Sequence, residues 1–534
     1  MHLFLKYFVA ILLWQSLSFA ETYDLPLFLI NTKGGSIPQD PKVDAVLHVV
    51  DQGVNSPADS VNGFSTKIGI EIRGQTSANF DKKSYGIETR DSIGGSMDVA
   101  LVGLPEGDDW VLHGPFIDKT LIRNALAHFL YQSTGRYSPR SRFVEVFLNN
   151  EYQGVYLLLE KIKRSKNRQN LTKLTKADTT GDAITGSYIF RIDKSDNIHA
   201  EGFLSSDNLQ IVYHYPKKED MMPQQETYLQ GAVNKFENLM DASHWNDPNT
   251  GYSTLLDVDA AVDYVMHEEI TKNTDAYICS FYMFKQRDSE GGKISLGPPW
   301  DFNLAFGAVN YSGGMETNGW QIELNISAGS YKVPPWLLKL WGDTAFQDRF
   351  KARWAELRSS VWHSSYIDAY MDSLSVLLAN ASERNFDRWP ILGSASCVNL
   401  GTGGFSYNFC FNGYSEPTWE QEITHVRTWF KERIAWIDSE LGFVEPATPV
   451  VPTLLSEFQN GVGEAPSYHI VGESLVLNSA KGGRLVLRNL EGQIVWSGNV
   501  AAGVVSVQLP RGLHGTLWVA SLHGAKASFV FRKR

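Results

Sequence analysis

The chain has 534 residues, with 43% apolar residues, 20% charged residues and a formal net charge of −11 at neutral pH. That length exceeds a single hydrophobic core, so two or more domains are expected, and the composition is that of a folded protein rather than a disordered or fibrous one. An acidic chain is poorly suited to nucleic acid, whose phosphates demand positive charge, and no internal run is long and apolar enough to cross a bilayer.

Lys6 precedes an apolar stretch over residues 7–14, and Ser18-Phe19-Ala20 supplies small residues at a cleavage point. Residues 1–20 therefore read as a secretory signal peptide cut after Ala20, against the alternatives of a buried first helix or a retained anchor. An exported protein is expected, periplasmic, cell-surface or secreted, with no membrane span once the signal is removed. Of the three cysteines, Cys397 and Cys410 flank a stretch rich in Gly, Ser and Asn. In an oxidising compartment they are expected to form a disulfide across it. Cys279 lies in an apolar stretch and reads as a buried free thiol.

Strands are expected at residues 27–30, 45–50 and 67–73, the last from the alternation of Ile68, Ile70 and Ile72 with Gly69 and Glu71. A polar loop, residues 74–81, leads to a strand at 83–89 and makes a hairpin with a long tip. Leu121, Ala125 and Phe129 with Leu126 and Leu130 form one stripe, predicting a helix over 121–132. Strands at 142–148 and 154–160 flank the turn Asn149-Asn150-Glu151, and another is expected at 187–192. Asp257 caps a helix running to about residue 272, followed by a strand at 277–284. Thr418 with Gln421 three residues on opens a helix over 419–441 that Gly442 ends. Prolines then recur every third position in a stiff linker, 445–452. Short alternating strands follow at 474–477, 484–487, 493–496, 504–509, 517–520 and 528–531, the pattern of a small all-β sandwich spanning 453–534. The fold class is α+β, strand-rich first and helix-rich later, and two lobes with a cleft between them would satisfy it.

Three stretches carry chemistry. In Gly297-Pro298-Pro299-Trp300-Asp301-Phe302-Asn303, two prolines force a rigid approach to a carboxylate among bulky apolar residues. Such a charge needs a metal or an arginine; a capping Asp in a turn is the competing reading. In Glu268-Glu269-Ile270-Thr271-Lys272-Asn273-Thr274-Asp275, a carboxylate sits between a helix and a strand, upstream of the first stretch. In kinases the first of two such aspartates orients the acceptor hydroxyl and the second holds Mg²⁺. In Arg73-Gly74-Gln75-Thr76-Ser77, continuing to Lys83, a flexible tip with backbone donors and flanking cations is able to cover phosphates, or is simply a solvated hairpin.

The segments IEIRGQTSANFDKKSYGIETRD, GSYIFRIDK, NTDAYICSFYMFK, PPWDFNLAFG and TWEQEITHVRTWFKERIAWIDSELG occur in this order within residues 65–442. In this order they resemble the landmarks of the spore coat protein H (CotH) kinase family. The resemblance implies a divergent, two-lobed, protein-kinase-like domain over 21–444. It also implies ATP with Mg²⁺ or Mn²⁺, and transfer to Ser or Thr of a protein, with cell-surface proteins among the expected partners. Asp275 then matches the catalytic aspartate and Asp301 the metal-binding one. Lys83 is expected on the phosphates with Arg73 assisting, Glu160 and Lys161 beside the nucleotide, and Arg123 and Arg191 reaching the cleft. Two positions depart from the family pattern: Ser280 replaces an Asn metal ligand five residues after Asp275, and Asn303 replaces an acidic residue. Neutral oxygens hold a hard divalent ion less strongly than carboxylates, so a catalytically degenerate, surface-binding scaffold is the alternative. The terminal module resembles the sorting modules appended to exported bacterial proteins.

Overall fold

The computed structural model describes residues 21–449, apart from Asp196, 325–331, 403–404 and residue 412, and seven strands between residues 467 and 532. The expected signal peptide and the last part of the linker lie outside the described residues. The first seven strands are β1 (Leu27–Asn31), β2 (Val43–Val50), β3 (Phe64–Arg73), β4 (Ser84–Arg90), β5 (Asp109–His113), β6 (Ser141–Leu148) and β7 (Glu151–Glu160). They close into a barrel in the order β1-β2-β3-β4-β5-β7-β6. Every pairing is antiparallel except β1 with β6. The period-two pattern decides what fills it: Ile68, Ile70, Ile87, Trp110, Leu112, Val144, Val146 and Leu158 belong to one buried cluster. The β6–β7 hairpin turns through Asn149 and Asn150, both at positive φ (50° and 68°). That is the mirror-image turn whose twist matches a hairpin, and asparagine tolerates it.

The second sheet holds β8 (Tyr188–Ile192), β9 (Gly202–Leu204), β10 (Gln210–Tyr215), β11 (Phe281–Lys285) and β12 (Ile294–Leu296), in the order β12-β11-β8-β10-β9. The helices are α1 (Arg123–Ser133), α2 (Ile198–Glu201), α3 (Pro223–Asp241), α4 (Val258–Thr271), α5 (Gln321–Leu324), α6 (Pro335–Trp341), α7 (Thr344–Arg358), α8 (Ser364–Arg388) and α9 (Trp419–Leu441). α1 joins barrel to helices: Leu126 and Leu130 share one core with Val155 and Leu157 of β7, Val265 of α4 and Phe430 of α9. It starts at Arg123 rather than at residue 121 because Leu121 is left-handed, φ 67°. The strand expected from residue 277 starts at Phe281, because Tyr277 (φ 68°) and Ser280 (φ 49°) fold residues 275–280 into a turn.

Between α8 and α9, β13 (Cys397–Thr402) and β14 (Phe405–Cys410) form a hairpin joined by the Cys397–Cys410 disulfide. The last strands are β15 (Ser467–Val471), β16 (Ser474–Ser479), β17 (Gly483–Asn489), β18 (Ile494–Val500), β19 (Gly503–Gln508), β20 (Leu517–Leu522) and β21 (Ala527–Arg532). They form antiparallel sheets β15-β16-β19 and β18-β17-β20-β21. No helix among the described residues is long and apolar enough to cross a membrane.

α4 is buried almost all round, so its polar residues must find partners inside. Asp257 caps its start by accepting from the Ala260 amide at 3.1 Å. Near its end, Glu269 and Arg433 of α9 are both fully buried and pair at 3.3 Å. Arg433 also donates to the Glu269 carbonyl at 2.9 Å, and to the carbonyls of Thr317 and Gly319. The Glu269 carboxylate in turn accepts from the Gln321 and Ile322 amides and from the Tyr277 hydroxyl at 2.8 Å. This pair fixes the chain on both sides of the turn at 275–280. Truncating one partner leaves a buried charge uncompensated. Arg433→Ala is expected to cost about 3–5 kcal/mol, read as a lower urea midpoint for the helical region.

Candidate functional site

A cleft of about 640 Å³ opens between the barrel and the second sheet. Five parts of the chain supply most of its polar wall. The tip after β3 contributes Arg73, Gly74, Gln75, Thr76 and Ser77. The segment from β5 into α1 contributes His113 through Asp118, with Asn124 and His128. The end of β8 contributes Arg191, Asp193 and Lys194, and two loops contribute Asp275, Cys279 and Ser280 and Trp300, Asp301 and Asn303.

The two carboxylate loops are strained in the same manner. Lys272, Tyr277, Ser280, Asp301 and Phe306 all have positive φ, between 46° and 70°, although none is glycine. Each such residue costs on the order of 1–3 kcal/mol and persists only where its surroundings hold it. For Asp301 the holders are visible. Asn124 on α1 accepts from the Phe302 amide at 3.0 Å, and the Phe306 amide donates to the Thr271 carbonyl at the end of α4 at 2.8 Å.

Asp301 faces the open cleft, yet the surrounding walls strip enough water to raise its carboxyl to about 6. The negative charge of Asp275 raises it further, while Arg73 and Lys194 oppose the rise. Asp275 is itself raised, chiefly by burial, with Lys194 again opposing. The Asp301 side chain thus senses the charge of Asp275 across one cleft. Burial lowers His113 to about 4 and His128 to about 3, so both imidazoles are neutral at physiological pH. Cys279 is a free cysteine on the cleft wall rather than in the core, and burial pushes its thiol up to about 12, which leaves it unreactive.

The cations are on the same walls. Arg73 lies 5.3 Å over the Trp300 ring, and Arg191 pairs with Asp193 at 2.7 Å while covering Tyr282. Among the described residues no three His, Cys, Asp or Glu side chains converge to cage a metal. The oxygen donors available are Asp275 and Asp301, with Ser280 and Asn303 nearby on the wall. That set suits a hard ion such as Mg²⁺, which is commonly bound by one or two carboxylates plus substrate phosphates.

Six of the residues expected from the sequence thus line one cleft: Asp275, Asp301, Arg73, Arg191, Ser280 and Asn303. Four others are outside its walls. The Lys83 ammonium turns back onto the Ala78 carbonyl at 2.9 Å, capping its own hairpin tip. Arg123 is buried, its guanidinium tied to Asp118 at 2.6 Å and to the Ala305 carbonyl at 3.0 Å. It reaches the cleft only through Asp118. Glu160 is fully buried and paired with Arg140 at 2.7 Å. Lys161 faces Asp109, whose charge offsets part of its burial. Sequence reasoning missed Lys194, Asp193 and Asn124. The sequence Arg191-Ile192-Asp193 held a signal for Asp193, because residues two apart on an extended chain share a face.

This cleft lies inside the part of the chain that known proteins share. The model of the family described as CotH kinase protein matches residues 70–437. Inner spore coat protein H of Bacillus subtilis (strain 168) is 24% identical over 252 residues, covering 46% of this chain and 61% of its own length. The chain therefore spans less than two thirds of that relative. With more than half of its residues matched by the family model, this chain belongs to the CotH kinase protein family.

Proposed function

We propose that this protein is an exported phosphotransferase of protein-kinase-like architecture, moving the γ-phosphoryl group of ATP to a Ser or Thr hydroxyl of a protein with a divalent ion. The observation that carries this reading is the convergence of Asp275 and Asp301 in one cleft whose walls also present Arg73, Arg191 and Lys194. A barrel and a second sheet with the cleft between them support a two-lobed reading. The relative named above is a spore coat protein, and the exported position proposed here rests on the leader read from residues 1–20.

In the proposed reaction, Asp275 accepts a hydrogen bond from the attacking hydroxyl and orients it in line with the phosphorus. The neutral imidazoles of His113 and His128 are too weakly basic to compete for that proton. Arg73 and Lys194 present positive charge to the phosphate oxygens, and the tip from Gly74 to Ser77 lies on the same wall. Asp301, with Asn303, would hold Mg²⁺ or Mn²⁺ against the phosphates. When bound, that ion supplies charge neutralisation of the donor oxygens. The remaining contribution is positioning, which the strained loops supply.

A second reading, a binding scaffold without catalysis, is favoured by one observation: Ser280 and Asn303 stand on the wall where carboxamide and carboxylate ligands would strengthen metal binding. Thermal melting separates the two, since a ligand that binds only the native state raises its midpoint. The catalytic reading requires a rise with ATP and Mg²⁺ together.

Two further outcomes are expected. Asp275→Asn lowers phosphoryl transfer from labelled ATP by about 10²–10⁴-fold without lowering the melting midpoint. The second concerns pH. The folded protein holds the Asp301 proton more tightly than the unfolded chain, so this group's stabilising contribution is complete below the ordinary value of 3.8 and is lost as the pH rises through about 6. Asp301→Asn is therefore expected to raise the melting midpoint of the metal-free protein at neutral pH. That difference should vanish in acid below the ordinary value; a constant difference at all pH values contradicts the assigned repulsion.

A further inference from the structure

Lys272 ends α4 in the left-handed conformation, φ 46°, and turns the chain so that Asn273 points back into the protein. Asn273 is only 3% exposed and is not on the cleft wall, so it has no access to a substrate. Its carboxamide oxygen accepts from the Asp275 amide at 3.2 Å. Its nitrogen donates to the Asp301 carbonyl at 3.4 Å. Its side chain also lies beside the buried carboxyl of Glu268, one turn back on α4. One side chain thus spans the backbones of both cleft carboxylates, which are 26 positions apart in the sequence.

We propose that Asn273 is the positioning residue that sets the separation of Asp275 and Asp301. This deepens the phosphotransferase reading above and rests on it for its kinetic consequence. The residue type is dictated by the task. A carboxamide offers an acceptor and two donors at one reach, whereas a carboxylate offers acceptors only and a serine hydroxyl is shorter with one donor. The task itself is set by electrostatics and strain. Asp275 and Asp301 repel, and Asp301 has a positive φ that its own conformational preferences do not favour. The Asp301–Phe302 peptide is therefore gripped at both ends: its N–H by Asn124 at 3.0 Å and its C=O by Asn273. Removing Asn124 would free Asp301 from α1. Removing Asn273 would free it from Asp275, and that is the separation on which transfer depends.

The test uses Asn273→Ala and Asn273→Asp in the full chain. Misplacement of a reacting group by about 1 Å costs on the order of 10²-fold in rate. Asn273→Ala is expected to lower kcat by about that factor while the KM for ATP changes by less than about threefold. Asn273→Asp retains the acceptor and loses the donor, so its deficit should be at least as large, because an added negative charge then faces the Asp301 carbonyl. In an Asp275→Asn background, Asn273→Ala should cost nothing further, because the group it positions is already gone. A purely structural role would instead multiply the two losses and lower the melting midpoint of single and double variants alike.

A crystal structure of Asn273→Ala supplies an arm independent of activity, with a widened Asp275–Asp301 separation or a relaxed Asp301 φ as the expected result. If the wild type transfers no phosphate, the enzyme reading fails and this arm alone decides the positioning claim. An unmoved pair of carboxylates, or losses that multiply in the double variant, overturns it.

Discussion

Two negative charges held on the walls of one cleft are the constraint around which the rest of this protein is organised. Asp301 raises its proton affinity because burial strips its water and Asp275 repels its charge. Left to relax, the two loops that carry them would separate, since Asp301, Tyr277 and Ser280 all have backbone conformations that non-glycine residues avoid. They are kept in place by partners that are themselves deeply buried. The Glu269–Arg433 pair holds Tyr277 and the chain around residues 317–322, and Asn124 holds the Phe302 amide. The interior of α4 and α9 thus serves the cleft as much as it serves stability. The repulsion is a natural recipe for a cation site, because the arrangement is eased by whatever positive charge enters it.

The cleft also explains the placement of its arginines. Arg73 and Arg191 lie over aromatic rings, Trp300 and Tyr282, rather than against Asp275 or Asp301. A guanidinium stacked on an aromatic face keeps its in-plane donors available for a further partner. Arg191 spends one of its donors on Asp193, which fixes its direction. The neutral histidines complete the picture: His113 and His128 form part of the wall without adding a competing base or charge. A phosphate-bearing ligand would meet directed cations on one side and the carboxylate pair on the other.

Much of this was legible in the sequence where local patterning and tertiary demand agree. The alternation of Ile68, Ile70 and Ile72 located β3, Asp257 located the start of α4, and Thr418 with Gly442 bounded α9. Asp301 stood out because a carboxylate amid bulky apolar residues requires a reason, and Asp275 because it lies between a helix and a strand upstream of it. The charged residues expected beside them were harder. Lys83, Arg123, Glu160 and Lys161 have the right chemistry but are turned toward other partners: a carbonyl, Asp118, Arg140 and Asp109. Whether a long charged side chain faces a cleft or an ion pair depends on contacts remote in sequence, and local pattern carries no record of those. The same holds for the strand expected from residue 277: its apolar run looks extended, and only the Glu269–Tyr277 hydrogen bond and the left-handed residues reveal a turn.

The central claim is that Asp301, on the same cleft wall as Asp275, is the seat of a metal carried in with a nucleotide. Paramagnetic resonance of Mn²⁺ titrated into the full chain, with and without ATP, tests it most directly. The account predicts weak binding of the bare ion, since no cage of three ligands exists among the described residues, and marked tightening when ATP is present. It also predicts loss of that tightening in Asp301→Ala. Mn²⁺ binding that ignores ATP, or that survives Asp301→Ala unchanged, would contradict it.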